Sequence, residues 1–453
     1  MPRTWSVVPA APAVAAGLAL GVAFTLSPLT LPIVALSAVT LARASRDLPD
    51  DERWWFLRIF GAALALRLAA IAVLFLASAR DSQGAGILFG DEAYALTRSW
   101  RLRNAWLGIP QLKYDYTTAF EGYGRSSYIW VMSFLQVLAG PAPYGLRVLN
   151  AALFTGAVLL MFRLTRRAFG PFVAFAGSIV LLFLPTLFFW SISLLKESFY
   201  FVLSVGVLAA VVELTATRNR LAQLLCTAVA VAGLLALRDL RNGAVALTAV
   251  GLVSGLAGAY VIAARLRIAV FAAVVAGCLA AVAVVPSLQR RAIAAVGEAA
   301  TANAGHVFTV GHGYKLLDDE FYVRPIAKPE YDLTPAEAAR YVARAAGTYL
   351  LLPLPWQIET RGELTYLPEQ LFWYTMLLLA PAGAVAAFRR DRLVAALLIA
   401  YVLPTAAVVA MTTGNVGTLI RHRTLIVPYL VWISAMGFSV VMARLVSRQG
   451  AAA

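Results

Sequence analysis

Long apolar runs separated by short polar turns dominate the chain. A helix needs about 20 apolar residues to cross the ~30 Å hydrocarbon core of a bilayer, and many of these runs reach or approach that length. The pattern predicts an all-α, polytopic membrane protein with about 12 transmembrane helices. The predicted spans are residues 8–26, 28–44, 54–79, 144–163, 170–189, 198–214, 221–237, 243–263, 268–286, 369–388, 393–412 and 424–443. The first is expected to be a retained span, since no convincing cleavage site follows it.

Two longer polar stretches interrupt the apolar runs and define three predicted regions. These are a transmembrane region at 1–286 with a first extracytoplasmic loop at 80–142, a second extracytoplasmic loop at 287–368, and C-terminal transmembrane helices at 369–453. Each loop is predicted to carry short helices. The apolar segment 126–139 is too short for a confident span and is expected to lie at the membrane interface. The segment TPAEAARYVARAA has Pro335 in its first turn and Glu337 near its start, which is typical of a helix N-terminus.

Composition agrees with the membrane assignment. Hydrophobic residues make up 61% of the chain and charged residues only 13%, yet the net charge is +15. Many of the arginines flank apolar runs, as cytoplasmic anchors do, so the expected partner of this charge is the lipid bilayer and not nucleic acid. The two cysteines, Cys226 and Cys278, lie inside apolar runs, which indicates neither a disulfide framework nor a cysteine metal site.

Arginine placement orients the predicted spans. The segments RLTRR, TATRNR, ARLR and FRRDR all fall on one side if both termini are cytoplasmic, as the positive-inside tendency requires. Arg238, Arg241, Arg421 and Arg423 are exceptions, because they fall in short outer turns. Arginines at positions that the positive-inside tendency disfavours indicate a specific function for these side chains.

Four groups of polar residues are predicted at the outer ends of spans. They are Asp91 and Glu92; Lys196 and Glu197; Arg238, Asp239 and Arg241; and Arg421, His422 and Arg423. Transfer of a sugar from a lipid phosphate to a hydroxyl needs both carboxylates and cationic side chains. A carboxylate must accept the hydroxyl proton, and cations must stabilise the phosphate that leaves. Asp91, Tyr94 and Arg98 also lie on one side of a helix, at i, i+3 and i+7.

Each group also has a purely structural explanation. Asp91 is a common residue type at a helix cap, and Lys196 beside Glu197 fits a snorkelling pair at the end of a span. The RDLRN turn that holds Arg238 would then be a solvated connection, and the RHR turn that begins at Arg421 an interfacial anchor. Sequence alone leaves these alternatives open.

Three stretches resemble the GT-C superfamily of polyprenyl-phosphate-dependent glycosyltransferases, in particular the branch with protein O-mannosyltransferases and the lipid A aminoarabinose transferase. GDEAY is similar to the acidic motif in that family's first outer loop, and YGLRVLNAALFTGAVLLMFRLTRRAFG is similar to part of its next two spans. RHRTLIVPYL is similar to the Arg-Tyr-x-x-Pro-x-x-Pro stretch that opens a late span. The likeness covers about residues 54–215 and the last span, with weak similarity between them.

The resemblance implies an inverting glycosyltransferase of the cell envelope, in a bacterial-type cytoplasmic membrane with its active site facing outward. It implies that Asp91 is the catalytic base, that Glu197 occupies the position of an acid in the second outer loop, and that Arg421 or Arg423 meets the lipid phosphate. The donor would be a polyprenyl-phosphate-linked sugar, and the acceptor a glycan, a lipid or a protein. The chain has Lys196–Glu197 where the family has a lone Asp, and His422 where the family has Tyr. These differences leave open whether the site binds a divalent cation (Mg²⁺ or Mn²⁺) or no cofactor.

Two other functions fit the same features. A polymerase or ligase of lipid-linked glycans, as in polysaccharide biosynthesis, would depend on the arginines more than on Asp91. A flippase or transporter of lipid-linked sugars is expected to bury charges at mid-membrane. Only one charged residue, Arg67, lies well inside an apolar run. Four polar groups, by contrast, are predicted at the outer ends of the spans. This distribution favours chemistry at the membrane surface.

Overall fold

The computed structural model describes Gly17, Ala19, Val22, Ala23 and residues 27–78, 86–122, 126–241, 243–309, 311–323, 333–357 and 366–452. These residues are helical apart from turns and one isolated antiparallel bridge between Gly313 and Asn415. The chain forms two compact units, one of Met1–Met161 and Leu182–Ala244, the other of Phe162–Leu181 and Val245–Ala453. These units divide the chain at points other than the predicted boundaries at 286 and 368.

The helices are numbered in chain order. They are α1 (Thr30–Ser45), α2 (Asp50–Ser78), α3 (Gly90–Trp106), α4 (Lys113–Ala119), α5 (Ser127–Ala139), α6 (Pro143–Phe169), α7 (Pro171–Phe183), α8 (Pro185–Ile192), α9 (Glu197–Ala216), α10 (Arg220–Leu240), α11 (Ala244–Ile262), α12 (Arg265–Val284), α13 (Pro286–Val307), α14 (Asp319–Val323), α15 (Pro335–Leu351), α16 (Leu367–Arg390), α17 (Arg392–Thr412), α18 (Val416–Arg423) and α19 (Val427–Ala452). A 3-10 turn covers Pro355–Gln357.

The polytopic all-α prediction is confirmed, but not the count of about 12 spans. In the described ranges nine helices are long and apolar enough to cross a membrane, and the pair α7 and α8 makes ten if it is one broken span. Each predicted span from 54–79 onward coincides with one of these helices. The predicted span 28–44 is only the 16-residue α1, about 24 Å long at 1.5 Å per residue and short of a ~30 Å core. The predicted span 8–26 falls almost entirely outside the described residues.

The break in the predicted span 170–189 has a local cause. Pro185 lacks an N–H group, and its ring excludes the residue before it from helical geometry. Leu184 is accordingly extended, with φ −61° and ψ 124°, between the end of α7 and the start of α8.

The first unit has a buried apolar core next to its polar loop. A buried apolar cluster joins α2, α6 and α8 through Ile71, Val148 and Ile192. Next to it α3 packs against α5, where Ser133 Oγ donates to the carbonyl oxygen of Ser99 at 3.0 Å. The predicted short helix at 126–139 is therefore present as α5, and it is packed on α3 as well as apolar.

The second unit packs α16 along α19 and α17 against α13, α15 and α16. The close approach of α16 and α19 depends on Gly383 and Gly437, since a Cβ at Gly383 would lie 1.9 Å from the carbonyl oxygen of Ile433. The helix predicted from TPAEAARYVARAA is confirmed as α15. Its capping box is complete, with Thr334 accepting from the Glu337 N–H and Glu337 accepting from the Thr334 N–H.

Candidate functional site

Asp91 and Glu92 occupy the first turn of α3, and their environments differ sharply. The N-cap residue is Phe89, which is extended and provides no side-chain cap. Capping by Asp91 is therefore not its structural role, although both carboxylates suit the positive end of the helix dipole. Asp91 is exposed, whereas Glu92 is fully buried. The ring of Phe89 stacks on Trp190 of α8 with centroids 4.6 Å apart, so the start of α3 is fixed in place.

A buried ion pair holds Glu92. Arg147 of α6 donates from Nη2 to Glu92 Oε2 at 2.8 Å, and neither side chain is exposed. The same guanidinium donates to the carbonyl oxygens of Gly86 at 2.7 Å and Ile192 at 2.9 Å. Glu92 is predicted to act in catalysis; in the structure its carboxylate is enclosed and paired with Arg147, next to the exposed Asp91.

Burial dominates the electrostatics of Glu92. It raises the pKa of this carboxyl, and the charge and hydrogen bond of Arg147 lower it by less. The backbone N–H groups of Leu88 and Leu194 also face the carboxylate and lower the pKa. Because the pair is enclosed, losing either partner leaves an uncompensated buried charge.

A second polar residue on α6 holds the turn that precedes α9. Asn150, one helical turn after Arg147, donates to the carbonyl oxygens of Ser193 at 2.6 Å and Leu195 at 3.0 Å. This turn leads directly to Lys196 and Glu197, which are both half-buried, with Glu197 in the first turn of α9. One face of α6 therefore fixes the acidic turn of α3 and the Lys196–Glu197 turn together.

Tyr128 of α5 contacts the same asparagine and the ring of Phe199 on α9. Its buried hydroxyl accepts from Asn150 Nδ2 at 3.3 Å. Burial raises the pKa of Tyr128, and the negative charges of Glu197 and Glu92 raise it further. Both carboxylates therefore contribute to the electrostatics around the Tyr128 hydroxyl.

Arg238, Asp239 and Arg241 lie at the same end of α9 as Glu197. Helices α9 and α10 pack as an antiparallel pair, and Gly233 lies against Val207, where an added Cβ would be only 2.5 Å from Val207 Cγ2. At 1.5 Å per residue, the turn after α10 comes level with the start of α9. Arg238 and Asp239 are exposed and Arg241 is half-buried. The first unit thereby brings three of the four predicted groups to one end of its helices.

The fourth group lies in the second unit. Arg421, His422 and Arg423 end the short helix α18, whose N-cap Asn415 accepts from the N–H groups of Gly417 and Thr418. This segment is therefore helical and not extended, so His422 does not lie on the side opposite to both arginines. Residues one apart on a helix differ by only about 100° in direction.

Arg423 and Arg421 have different environments. Arg423 is 4% exposed, and its guanidinium donates to Gln370 Oε1 at 2.8 Å and to the carbonyl oxygens of Tyr349 and Leu352. It also lies 4.6 Å above the ring of Trp373. Burial lowers the pKa of Arg423 to about 10. These contacts make Arg423 an internal anchor, and they leave the half-buried Arg421 as the better candidate for a phosphate ligand.

Tyr94 lies on α3, one helical turn after Asp91. It is 46% exposed, on the face of α3 that also presents Asp91, and its hydroxyl accepts from Arg98 Nη1 at 2.7 Å.

The sequence patterns predicted no role for Arg147, Asn150 or His306. The His306 ring lies 6.3 Å from that of His422, and its Nδ1 is 2.8 Å from the carbonyl oxygen of Thr412.

Within the part of the chain that the structure describes, no group of three His, Cys, Asp or Glu side chains is placed to hold a metal ion. Apart from Arg147, which pairs with Glu92, the cationic residues of the predicted groups in the first unit are Lys196, Arg238 and Arg241. In comparisons with protein-family models, curated proteins and solved structures, the chain matches none. A functional assignment must therefore come from the chemistry of the site.

Proposed function

We propose that the protein is a membrane glycosyltransferase of GT-C type that moves a sugar from a polyprenyl-phosphate donor to an acceptor hydroxyl, on the extracytoplasmic face of a bacterial-type cytoplasmic membrane. One observation carries the proposal. Asp91 is exposed on a turn that the buried Glu92–Arg147 pair holds in place, and α6 holds the Lys196–Glu197 turn beside it.

The proposed step is a single displacement with inversion. Asp91 accepts the proton of the acceptor hydroxyl while that oxygen bonds to the anomeric carbon of the sugar. The bond from that carbon to the phosphate oxygen breaks, and polyprenyl phosphate leaves with the electron pair. A positioned general base contributes roughly 10²–10⁴-fold to such a rate. Lys196, Arg238 and Arg241 supply positive charge at the same end of the first unit, where negative charge develops on the leaving phosphate.

The environment of Arg67 supports surface chemistry over a flippase. This buried arginine in α2 donates to Ser191 Oγ at 2.8 Å and to the carbonyl oxygens of Ala63 at 3.1 Å and Leu182 at 2.9 Å. Its guanidinium carbon also lies 5.1 Å from the ring centroid of Phe188. These contacts account for a charge within a predicted span as part of the packing around α8, without a transported ligand.

Replacement of Asp91 by Asn tests the proposal. The assay follows release of polyprenyl phosphate from a panel of polyprenyl-phosphate sugars by the purified full chain. Asp91→Asn should lower the rate on the order of 10²–10⁴-fold, while the helix-dipole contribution it loses is only about 0.3–1 kcal/mol of stability. Asp319→Asn is the matched control, since Asp319 is an exposed acid on α14 and pairs with Lys315. Near-normal turnover by folded Asp91→Asn would exclude Asp91 as the base.

A further inference from the structure

A concave surface on and after α4 has no role in the proposed step. Tyr114, Tyr116, Thr117, Thr118, Phe120 and Glu121 line an open cleft of about 700 Å³, here called the tyrosine cleft. Three aromatic rings are exposed within it, Tyr114 at 68%, Tyr116 at 54% and Phe120 at 44%. Its volume lies in the ~300–1,000 Å³ range of ligand sites.

The cleft is held in shape from behind by α3. Arg101 donates from Nη2 to Asp115 at 2.7 Å and from Nη1 to Thr118 Oγ1 at 3.0 Å. Its guanidinium carbon also lies 5.5 Å from the ring centroid of Tyr114. Arg98 adds a tie by donating to the carbonyl oxygen of Glu121. Because these contacts fix the segment before a ligand arrives, binding costs less ordering of side chains and loop.

The lining combines two kinds of groups that a carbohydrate requires. A sugar ring has an apolar face of C–H groups, which packs on an aromatic face, and a rim of hydroxyls that need donors and acceptors. Tyr114 and Tyr116 offer both an apolar ring and a hydroxyl. Thr117 and the carboxylate of Glu121 add further hydrogen-bonding groups at the cleft. Anionic lipid is the less suitable occupant, because Glu121 places a carboxylate in the lining and the charge of Arg101 is already paired with Asp115.

The cleft is connected to Asp91 along one helix face. Asp91, Tyr94, Arg98 and Arg101 recur on α3 at i, i+3, i+7 and i+10, which places them on one side of the helix. Ten residues of helix extend about 15 Å. A smaller cavity of about 140 Å³, lined by Arg98, Phe120 and Trp130 among others, adjoins this face and shares Phe120 with the cleft.

We propose that the tyrosine cleft binds a carbohydrate chain, which extends along this face of α3 toward Asp91 and is the acceptor of the transfer. The identification as acceptor rests on the proposed function, whereas binding of the chain does not. The acceptor class is then a glycan, in preference to a protein or a simple lipid.

Binding is tested without any donor. The purified full chain in nanodiscs is titrated with soluble tetrasaccharides of glucose, mannose, galactose and N-acetylglucosamine, and the dissociation constant is measured by calorimetry. For the best ligand, Tyr114→Ala and Tyr116→Ala should each weaken binding roughly tenfold, since each removes a stacking ring. Tyr116→Phe, which keeps the ring, should weaken it much less. Tyr260→Ala is the control, because Tyr260 is 63% exposed but lies on α11.

Three results would overturn the inference. One is that none of the tetrasaccharides binds, and another is that the alanine variants bind like Tyr260→Ala. The third is that brominated lipid quenches the fluorescence that Tyr116→Trp adds to that of the ten native tryptophans, measured as the difference from the wild type, since the cleft would then face the membrane. The outcome is separable from that of the proposed function. If the wild-type chain releases polyprenyl phosphate from no donor of the panel while Tyr116→Ala loses glycan binding, the transferase proposal fails and the glycan site stands.

Discussion

Removing Arg147 should destabilise the protein far more than removing a surface arginine. Arg147→Met keeps an unbranched apolar side chain in the space but deletes the partner of Glu92 and the donors to Gly86 and Ile192. Breaking a buried ion pair by removing one member costs about 3–5 kcal/mol. In Arg340→Met, by contrast, the lost pair with Asp318 is exposed, and such pairs are worth about 0–1 kcal/mol.

The pH dependence of the stability of Arg147→Met shows whether the unpaired Glu92 carboxylate causes the destabilisation. The pKa of Glu92 is raised in the folded protein above its ordinary value of 4.5, and loss of the Arg147 charge should raise it further. A carboxyl with a raised folded pKa favours the folded state when protonated. Its contribution is fully present below 4.5 and is lost as pH rises through the folded pKa. Arg147→Met should therefore be closest to the wild-type stability at acid pH and furthest from it at neutral pH.

Unfolding in mixed detergent micelles, followed from pH 4.5, the ordinary pKa of Glu92, up to neutral pH, measures both effects. The double variant Glu92→Gln/Arg147→Met has no buried carboxylate, so it should regain stability at neutral pH and lose the dependence on pH. If Arg147→Met unfolds like Arg340→Met at neutral pH, the buried pair does not hold the start of α3.

Two further predictions concern the arginines of α18 and the orientation of the chain. Arg421→Lys should lower the rate more than the affinity for a polyprenyl-phosphate donor, because lysine lacks the planar fork that fits a phosphate; wild-type kinetics would exclude this role. Arg423→Lys should instead lower stability, by loss of its contacts with Gln370 and two carbonyls, and equal stability would contradict the anchor role. In a cysteine-free background, Glu121→Cys should label from outside intact cells and Arg390→Cys should not; the reverse pattern would invert the orientation.

The positions of the helices were largely predictable because they depend on local properties. The length of the apolar runs and the polar residues that flank them suffice to place α9, α10 and α17 within a few residues. They do not show that Pro185 breaks a span into α7 and α8, because a proline within an apolar run is compatible with either a kink or a break.

The contacts of individual side chains were much less predictable. Asp91 and Glu92 are adjacent in sequence and looked equivalent as acids, yet one is exposed and the other enclosed. Neighbouring helix positions point about 100° apart, so burial of one face separates their roles. Arg421 and Arg423 differ for the same reason, since only Arg423 points into the packed interior of its unit.

Arg147 and Asn150 form a sequence pattern from which the contacts that hold the site could have been predicted in part. They stand three residues apart within the span Pro143–Phe169, so they lie on one side of α6. A polar residue in such a span must find partners, because unsatisfied groups in hydrocarbon are costly. Two of them on one face therefore predict a polar contact with other segments, although the sequence does not identify which. The structure supplies Glu92, 55 residues away, and the carbonyls of Ser193 and Leu195, and so ties both acidic turns to one helix.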